Sequence, residues 1–130
     1  GLLTVSVWAR KNGTVGGQIF LKHVSYTLGI GADSVNAYVN AEGGQADLNV
    51  YSGVSIDDTE WHHYAVAYDS RTGQARLLVD GAEVSSATTS GRVRYDPCDP
   101  RELNVGGDPW GNAFDGLIDE LVVYDAIVTN

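Results

Sequence analysis

Apolar and polar side chains alternate along most of the chain. In the first such segment Val5, Val7 and Ala9 occupy alternate positions, and Ser6 and Trp8 lie between them. Successive residues of an extended strand point to opposite faces, so a period of two is typical of strands that bury one face. No stretch carries a convincing helical period. Roughly ten short strands separated by turn residues predict an all-β fold, a sandwich of two antiparallel sheets.

The alternation also predicts where each strand lies. Segments 62–69 and 74–80 are separated by a short turn and are predicted to form a hairpin. The second of them leads into Asp80 and Gly81, a dipeptide that strongly signals a two-residue hairpin turn. The strands that the alternation delimits are 4–10, 18–23, 25–30, 35–40, 47–51, 62–69, 74–80, 103–105 and 117–124.

The acidic composition narrows the range of partners. The chain has 130 residues and a net charge of −9. This length suits one domain with a substantial core. The charge opposes binding to nucleic acids or to anionic membranes, and no apolar run is long enough for membrane insertion. Neutral glycans, cations and basic protein surfaces remain as candidate partners.

Three segments carry a family resemblance. They are 4–8 (TVSVW), the pair 61–69 (WHHYAVAYD) and 75–81 (ARLLVDG), and 103–107 (LNVGG) running on to 114–124 (FDGLIDELVVY). Together they resemble the laminin G-like and pentraxin-like jelly rolls of the concanavalin A-like lectin/glucanase superfamily. The resemblance implies a two-sheet antiparallel jelly roll that occupies residues 1–130 as one domain. Because the chain starts at Gly1 rather than Met and ends abruptly at Asn130, we expect it to be excised from a larger protein.

The same resemblance implies that an opening strand is missing. Domains of this family usually begin with one or two strands before the strand that starts here at Thr4, and one of these helps to close the sheet. We therefore expect an unpaired sheet edge or an uncovered core face. Another chain, or a missing part of this one, would then supply the strand, and a homo-oligomer formed through that edge is one possible result.

Catalytic constellations are absent from the sequence. Glycoside hydrolysis needs two carboxylates, about 5 Å apart in retaining enzymes, and glucanases of this superfamily place three acids at alternate positions of one strand. Here Asp119 and Glu120 are adjacent and are predicted to face opposite ways. The adjacent His62 and His63 likewise point apart, so they cannot easily share a metal. We predict that the protein is not an enzyme.

Asp119 has two possible environments. In a regular strand it would share a face with Leu117, Leu121 and Val123, and a carboxylate on an apolar face needs a partner. A β-bulge would instead turn it outward. The family resemblance places an acid at this position with a mainly structural role.

Sugar recognition needs an aromatic face together with planar amide or carboxylate groups. Three loops offer such groups: 29–34, 92–100 and 107–112. Trp110, flanked by Asp108 and Asn112, has the composition of a sugar site, although it could also be an anchor packed onto the sandwich. Tyr95 belongs to the second loop. Trp8 and Trp61 start or lie within strands and are interpreted as core or half-core residues.

A polar strand face is a second candidate site. Asn36, Tyr38 and Asn40 alternate along one predicted strand, and the next strand could add Asp47, Asn49 and Tyr51 to the same face. Such a face is either a glycan platform, with Tyr38 and Tyr51 as its rings, or an ordinary solvated surface.

The resemblance also raises the question of calcium, since laminin G-like domains frequently hold one calcium ion at the rim with Asp side chains and backbone carbonyls. Calcium prefers clustered loop oxygens. The candidate ligands are Asp33 and Asp108, followed by Asp96 and Asp99.

We therefore predict a non-catalytic, lectin-like carbohydrate-binding module with calcium as its candidate cofactor, located outside the cell or on its surface. The alternative is a protein-interaction, adhesion or purely architectural module of an extracellular multidomain protein.

Overall fold

A computed structural model describes residues 1–13, 16–95, 103–107 and 112–127. Ten strands and no helix occur in these ranges, and no helix there could span a membrane. The strands are β1 (Leu2–Lys11), β2 (Gly17–Lys22), β3 (Tyr26–Ile30), β4 (Val35–Ala41), β5 (Gly44–Asp47), β6 (Trp61–Asp69), β7 (Gln74–Val79), β8 (Ala82–Thr88), β9 (Asn104–Val105) and β10 (Gly116–Tyr124).

The strands form two five-stranded sheets. The first sheet has the order β10-β1-β6-β7-β8, and the second has the order β5-β4-β3-β2-β9. All strand pairs are antiparallel. The predicted all-β sandwich of two antiparallel sheets is confirmed.

The core lies between the two sheets and follows the alternation of the sequence. In β1, Val5 and Val7 are fully buried, and their partners across the strand pair, Val66 and Tyr64, are buried with them. The second sheet contributes its own inward residues, among them Phe20, Leu28, Ala37 and Val39. Burying one face of each sheet is what fixes the strand registers, because a shift by one residue would expose the apolar set.

The hairpin signal at Asp80 is confirmed. Val79 pairs with Ala82, so the β7–β8 turn contains only Asp80 and Gly81. Both have positive φ, 51° and 82°, as a tight turn that matches the twist of its strands requires.

One predicted strand is shifted. Strand β5 runs from Gly44 to Asp47, so only the first residue of the predicted strand 47–51 lies in it. Beyond β5 the chain still follows β4, with Val50 bridged to Val35. The strand begins earlier than predicted because Glu42 and Gly43 form a tight turn directly after β4, and Gly44, with a φ of 126°, pairs with Ala41 as the first residue of β5.

A β-bulge in β10 decides the position of Asp119. Two residues of β10, Glu120 and Leu121, lie opposite a single residue of β1, and Glu120 has a φ of 52°. The bulge places Asp119 opposite Trp8 on the outer face, whereas Leu121 packs against the core. The expectation for a regular strand, in which Asp119 shares a face with Leu121, is therefore wrong, and the bulged alternative is correct.

The two ends of the sandwich differ. We call the end near Lys11 the closed end; it includes residues 31–34, 53–62 and Asp80. We call the end near Leu2 the open end, where the start of β1, the β4–β5 turn, residues 92–95 and the end of β10 surround a groove of about 1070 Å³.

Candidate functional site

The open-end groove draws its lining from four separate segments. These are the start of β1, the turn after β4, the segment 92–95, and residues 123–125 at the end of β10. Leu3 and Val93 form part of its apolar lining, and Val123, which faces the interior side opposite Val5, is still 48% exposed. Among the residues that the structure describes, the groove therefore exposes part of the interior of the sandwich to solvent.

Segment 92–95 is fixed to the second sheet by its backbone. Val93 forms a bridge with Ala41 at the end of β4. The Arg94 amide donates to the carbonyl of Asn40 at 2.8 Å, and the hydroxyl of Ser25 donates to the carbonyl of Arg94. These bonds hold the backbone of the segment, so the side chains of Arg92, Arg94 and Tyr95 project from a rigid support.

Gly91 positions the first of these side chains. Its φ is 82°, and a Cβ at this residue would lie 2.8 Å from the Cβ of Glu42. This close approach lets the Arg92 amide donate to Glu42 Oε1 at 2.8 Å, with the Arg92 guanidinium 3.4 Å from the same oxygen. The hydrogen bond from the Arg92 backbone, with the Arg92 side chain, holds the pKa of the Glu42 carboxyl below its ordinary value.

Aromatic and charged groups meet in this groove. Tyr95 is 59% exposed, and Tyr124 at the end of β10 is a second aromatic residue of the lining. Glu42, Arg92, Arg94 and Asp125 supply the charged groups. An exposed ring beside planar carboxylate and guanidinium groups can bind the apolar face of a sugar and its hydroxyls at the same time.

The predicted ligand residues are distributed over different parts of the molecule. Tyr95 lies in the groove. Tyr51 is 79% exposed, but Val50 pairs with Val35, the first residue of β4, so Tyr51 lies beyond the start of β4. Asn112 accepts a backbone bond from Gln18 at 3.0 Å through its carbonyl. Trp110 and Asp108 lie outside the described residues.

The polar strand face exists, but much of its hydrogen-bonding capacity is used internally. Asp47 pairs with Tyr38 across β4 and β5, as predicted for this face. The Asn40 side chain donates to the Val24 carbonyl at 3.0 Å, and Asn49 accepts from the Ala37 amide at 2.9 Å. Burial raises the pKa of Tyr38. These contacts favour a structural role for the face.

Asp33, the first calcium candidate, lies at the closed end. Its two carboxylate oxygens accept the backbone amides of Gly53 at 2.8 Å and Ile56 at 3.0 Å. The bond from Ile56, followed by that from Gly53, lowers the pKa of Asp33. The described residues contain no group of three or more His, Cys, Asp or Glu residues placed to hold a metal. The other calcium candidates, Asp96, Asp99 and Asp108, lie outside the described residues, and calcium binding stays a prediction.

The adjacent histidines, His62 and His63, point to opposite faces, as predicted. His63 packs against the Trp8 ring on the outer face, with 5.1 Å between the ring centroids. His62 lies at the closed end between two carboxylates, Asp58 and Asp80, each 2.7 Å from one ring nitrogen. Burial lowers the pKa of His62, but the hydrogen bonds with Asp80 and Asp58 outweigh it, so the pKa lies above its ordinary value.

Trp8 and Trp61 are half-exposed on the outer face of the first sheet, in keeping with the half-core interpretation. The sequence did not reveal the groove itself. Tyr124, Asp125 and Glu42 come from distant parts of the chain, and no spacing or motif links them to Tyr95. The bridge between Val93 and Ala41 brings segment 92–95 to Glu42, and the pairing of β10 with β1 brings Tyr124 to the same end.

Known structures match this fold at low sequence identity. A sialidase carbohydrate-binding module (CBM40) of Ruminococcus gnavus bound to α2,3-sialyllactose has a TM-score of 0.71 at 13% identity, and the match covers 99% of this chain and 78% of that one. The binding domain of botulinum neurotoxin DC, in complex with SialylT, gives 0.66 at 13% identity, covering 98% and 33%. Domains LG4-5 of the mouse laminin α1 chain give 0.59 at 21% identity, covering 94% and 34%.

This chain thus spans about a third of the length of the toxin and laminin chains. At these identities the structural likeness shows the fold alone. No curated protein matches the sequence. A family model, Laminin_G_3 of the concanavalin A-like lectin/glucanases superfamily, matches residues 1–130. The chain belongs to this laminin G-like family, as its sequence resemblance implied.

Proposed function

We propose that the protein is a non-catalytic glycan-binding module and that the open-end groove is its ligand site. The observation that carries the proposal is the groove itself, which brings the exposed Tyr95 ring together with Glu42, Arg94 and Asp125. Two similar structures are described with sialyllactose or SialylT, and this supports a glycan as the ligand class.

In the proposed mode of binding, a sugar ring stacks its apolar face on Tyr95 while charged groups hold its hydroxyls. The Asp125 carboxylate accepts hydrogen bonds from hydroxyls, and the Arg94 guanidinium donates them. The groove is wide and open, so a single site is expected to bind weakly and to gain strength through multivalent attachment.

Catalysis is not part of the proposal. A glycosidase needs one carboxylic acid whose pKa is raised so that it can donate a proton. Glu42 and Asp125 are the acids that line the groove among the described residues, and the hydrogen bonds of Glu42 with Arg92 shift the Glu42 pKa downward. An ionised carboxylate of this kind is suited to binding hydroxyls.

Calcium assistance, an extracellular or cell-surface location, and a sugar contact from Trp110 belong to the same proposal. A direct test is a glycan array probed with the labelled protein, in calcium and again in chelator. Loss of binding in chelator would support a calcium ion at or beneath the site.

Two tyrosine variants localise the site. Tyr95→Ala removes the groove ring and should weaken glycan binding by roughly tenfold or more. Tyr51→Ala removes an even more exposed tyrosine outside the groove and should leave binding unchanged. A blank array from folded protein would overturn the proposed function, and equal binding by both variants would move the site away from the groove.

A protein partner is the second candidate, favoured by the edge strand β10. This strand has nine residues, and Leu117, Val122 and Val123 on it are exposed. An edge of this kind can pair with a strand of another chain, including a second copy of this one. Sedimentation velocity over a range of concentrations should then reveal a dimer, and a strictly monomeric protein would argue against strand exchange.

A further inference from the structure

One side of the sandwich leaves part of its core uncovered. On this side, Val105 of β9 pairs with the buried Phe20, and Val123 of β10 pairs with the buried Val5. Residues paired across antiparallel strands point to the same face, so both valines face the interior. Yet Val105 is 49% exposed and Val123 is 48% exposed. We call the strip formed by Val105, Leu121 and Val123 the seam.

The seam opens toward the groove and closes in the other direction. There, Ile118 of β10 approaches Gly106, the residue after β9, since a Cβ at Gly106 would lie 3.8 Å from the Ile118 Cδ1. The Phe114 amide donates to the Gly106 carbonyl at 3.0 Å. Toward the open end, Val123 belongs to the lining of the groove. The seam is therefore continuous with the groove.

The opposite side of the sandwich, between β5 and β8, is closed. Ala46 of β5 is only 2% exposed. The Gly43 amide donates to the Ser90 carbonyl at 2.8 Å, and the Thr89 hydroxyl donates to the Gly44 carbonyl at 2.8 Å. These hydrogen bonds join the two sheets directly. The exposure of the seam is thus particular to the β9–β10 side.

Strand β10 also has a free edge beside the seam. Among the described strands it pairs only with β1, and an outer strand offers a row of backbone amides and carbonyls to a further strand. The bulge at Glu120 interrupts this row, and the Asp119 carboxylate accepts from the Glu120 amide at 2.8 Å. The regular part of the edge is therefore 121–124. A strand added there would place alternate side chains over Val123 and Val105.

The charge around this edge determines which strand fits. Segment 115–125 contains no Lys or Arg but has four acids, Asp115, Asp119, Glu120 and Asp125. Glu120 and Asp125 directly flank 121–124, and both are exposed. Antiparallel pairing of 121–124 with the same segment of a second copy would place each Glu120 opposite an Asp125. Like charges in such positions destabilise a strand pair, whereas opposite charges stabilise it.

We propose that the seam and the adjacent edge of β10 bind an extended segment of another protein, with alternating apolar residues and a Lys or Arg at each end. The segment pairs with 121–124, its inward side chains cover Val123 and Val105, and its basic ends meet Glu120 and Asp125. Of the two protein partners that the edge allows, a different chain is therefore favoured over a second copy. Peptide binding at the seam does not require the proposed glycan binding.

The test titrates ¹⁵N-labelled protein with two end-blocked peptides, Lys-Val-Thr-Val-Thr-Lys and its counterpart with Glu at both ends, and follows the amide signals by NMR. The Lys peptide should shift the amides of 121–124 and slow their hydrogen exchange. At about 20 mM salt it should bind roughly tenfold tighter than the Glu peptide, and at about 0.5 M salt this preference should fall below about threefold, because salt screens exposed charges.

Charge variants distinguish contact at this edge from general attraction to an acidic protein. Glu120→Gln should reduce the preference for the Lys peptide by about threefold, the scale of one exposed ion pair. The matched control, Glu83→Gln, removes the same charge from β8, the other edge strand of this sheet, and should keep the full preference.

A charge in the seam should block binding. Val123→Lys is expected to weaken binding of the Lys peptide by about tenfold or more, through lost apolar contact and repulsion. Val105→Lys places the same charge on the other wall and serves as a second variant. Both valines are half exposed, so the fold should tolerate the change, and circular dichroism with thermal melting checks each variant.

The outcomes separate this proposal from the glycan-binding function. A dimer in sedimentation velocity would show self-pairing and overturn the partner class. Binding of neither peptide by the folded protein, shifts at β8 in place of 121–124, or equal loss of preference in Glu83→Gln would also overturn it, and a positive glycan array would still support glycan binding. A blank array together with Lys-peptide binding at 121–124 would overturn the glycan function alone.

Discussion

At the closed end of the sandwich the side chains of Lys11, Asp33 and His62 bond to the protein itself, whereas at the open end the Arg94 guanidinium has no hydrogen bond or ion pair with a described residue. At the closed end, Lys11 is 3% exposed and its ammonium group donates to the carbonyls of Gly31, at 3.0 Å, and Ala32. At the open end the interior residue Val123 remains half exposed.

This difference distinguishes charges that stabilise the fold from charges available to a ligand. Residues of the same type occur at both ends, so composition alone does not separate them. They are distinguished by whether the backbone supplies a hydrogen-bond partner. A charged group that already bonds to the protein has little hydrogen-bonding capacity left for a ligand, whereas an unpaired charged group in a groove can bind one. Three changes at the closed end and one at the open end test this contrast.

The largest expected effect comes from Lys11→Met. The methionine fills a similar volume but leaves the carbonyls of Gly31 and Ala32 without their donor in a buried place. We expect a loss of about 1–3 kcal/mol in the free energy of unfolding, measured by urea denaturation at neutral pH. A loss below about 0.5 kcal/mol would mean that water replaces the ammonium group and that this end is less closed than described.

The next effect depends on pH and involves His62. Its folded pKa is raised by Asp80 and Asp58, so its stabilisation is complete below its unfolded pKa of about 6.5 and is lost as the pH rises through the raised value. The free energy of unfolding is measured by urea denaturation at pH 5.5, 7 and 8.5. At pH 5.5 it should be higher for the natural sequence than for His62→Gln by on the order of 1 kcal/mol, and this difference should shrink at pH 8.5. A difference that grows with pH would contradict the assigned hydrogen bonds.

A smaller effect is expected at Asp33. Asp33→Asn keeps one oxygen acceptor but loses the charge that attracts the amides of Ile56 and Gly53. Because the folded pKa of Asp33 is lowered, its stabilisation is present above its unfolded pKa and is lost as the pH falls through the lowered value. The variant should therefore be less stable at pH 7, and the difference should shrink as the pH falls below the ordinary Asp pKa of about 3.9. A constant difference at all pH values would point to a packing change.

The smallest effect on stability is expected at the open end. Arg94→Met removes a charge with no ion-pair partner among the described residues, so the free energy of unfolding should change by less than about 0.5 kcal/mol. Compared with Lys11→Met under the same conditions, this variant gives the contrast between the two ends directly. A large loss at Arg94 would show that its side chain supports the fold.

The sequence predicted the sandwich well because alternation follows burial strand by strand. Val5 and Val7 in β1 are examples, and the turn at Asp80 was predicted by its two residues alone. Asp119 shows the limit, since the bulge at Glu120 comes from pairing with β1 and leaves no local signal in the sequence.

The candidate site was much less predictable. Tyr95 was identified by its loop composition, but Glu42 and Asp125 join it only through the assembly of the two sheets. From sequence Tyr38 was a candidate sugar contact and Asp33 a candidate calcium ligand. Only the structure could reveal the burial that raises the pKa of Tyr38 and the Gly53 amide that donates to Asp33.

The most direct test of the open-end site is a ¹H–¹⁵N NMR titration of the protein with the tightest-binding glycan from the array. The amides of residues 92–95 and 123–125 should shift with a common dissociation constant, while those of Lys11, Asp33 and His62 at the closed end stay in place. Shifts confined to the closed end, or to the outer face around Trp8 and Trp61, would contradict the assignment of the groove as the ligand site.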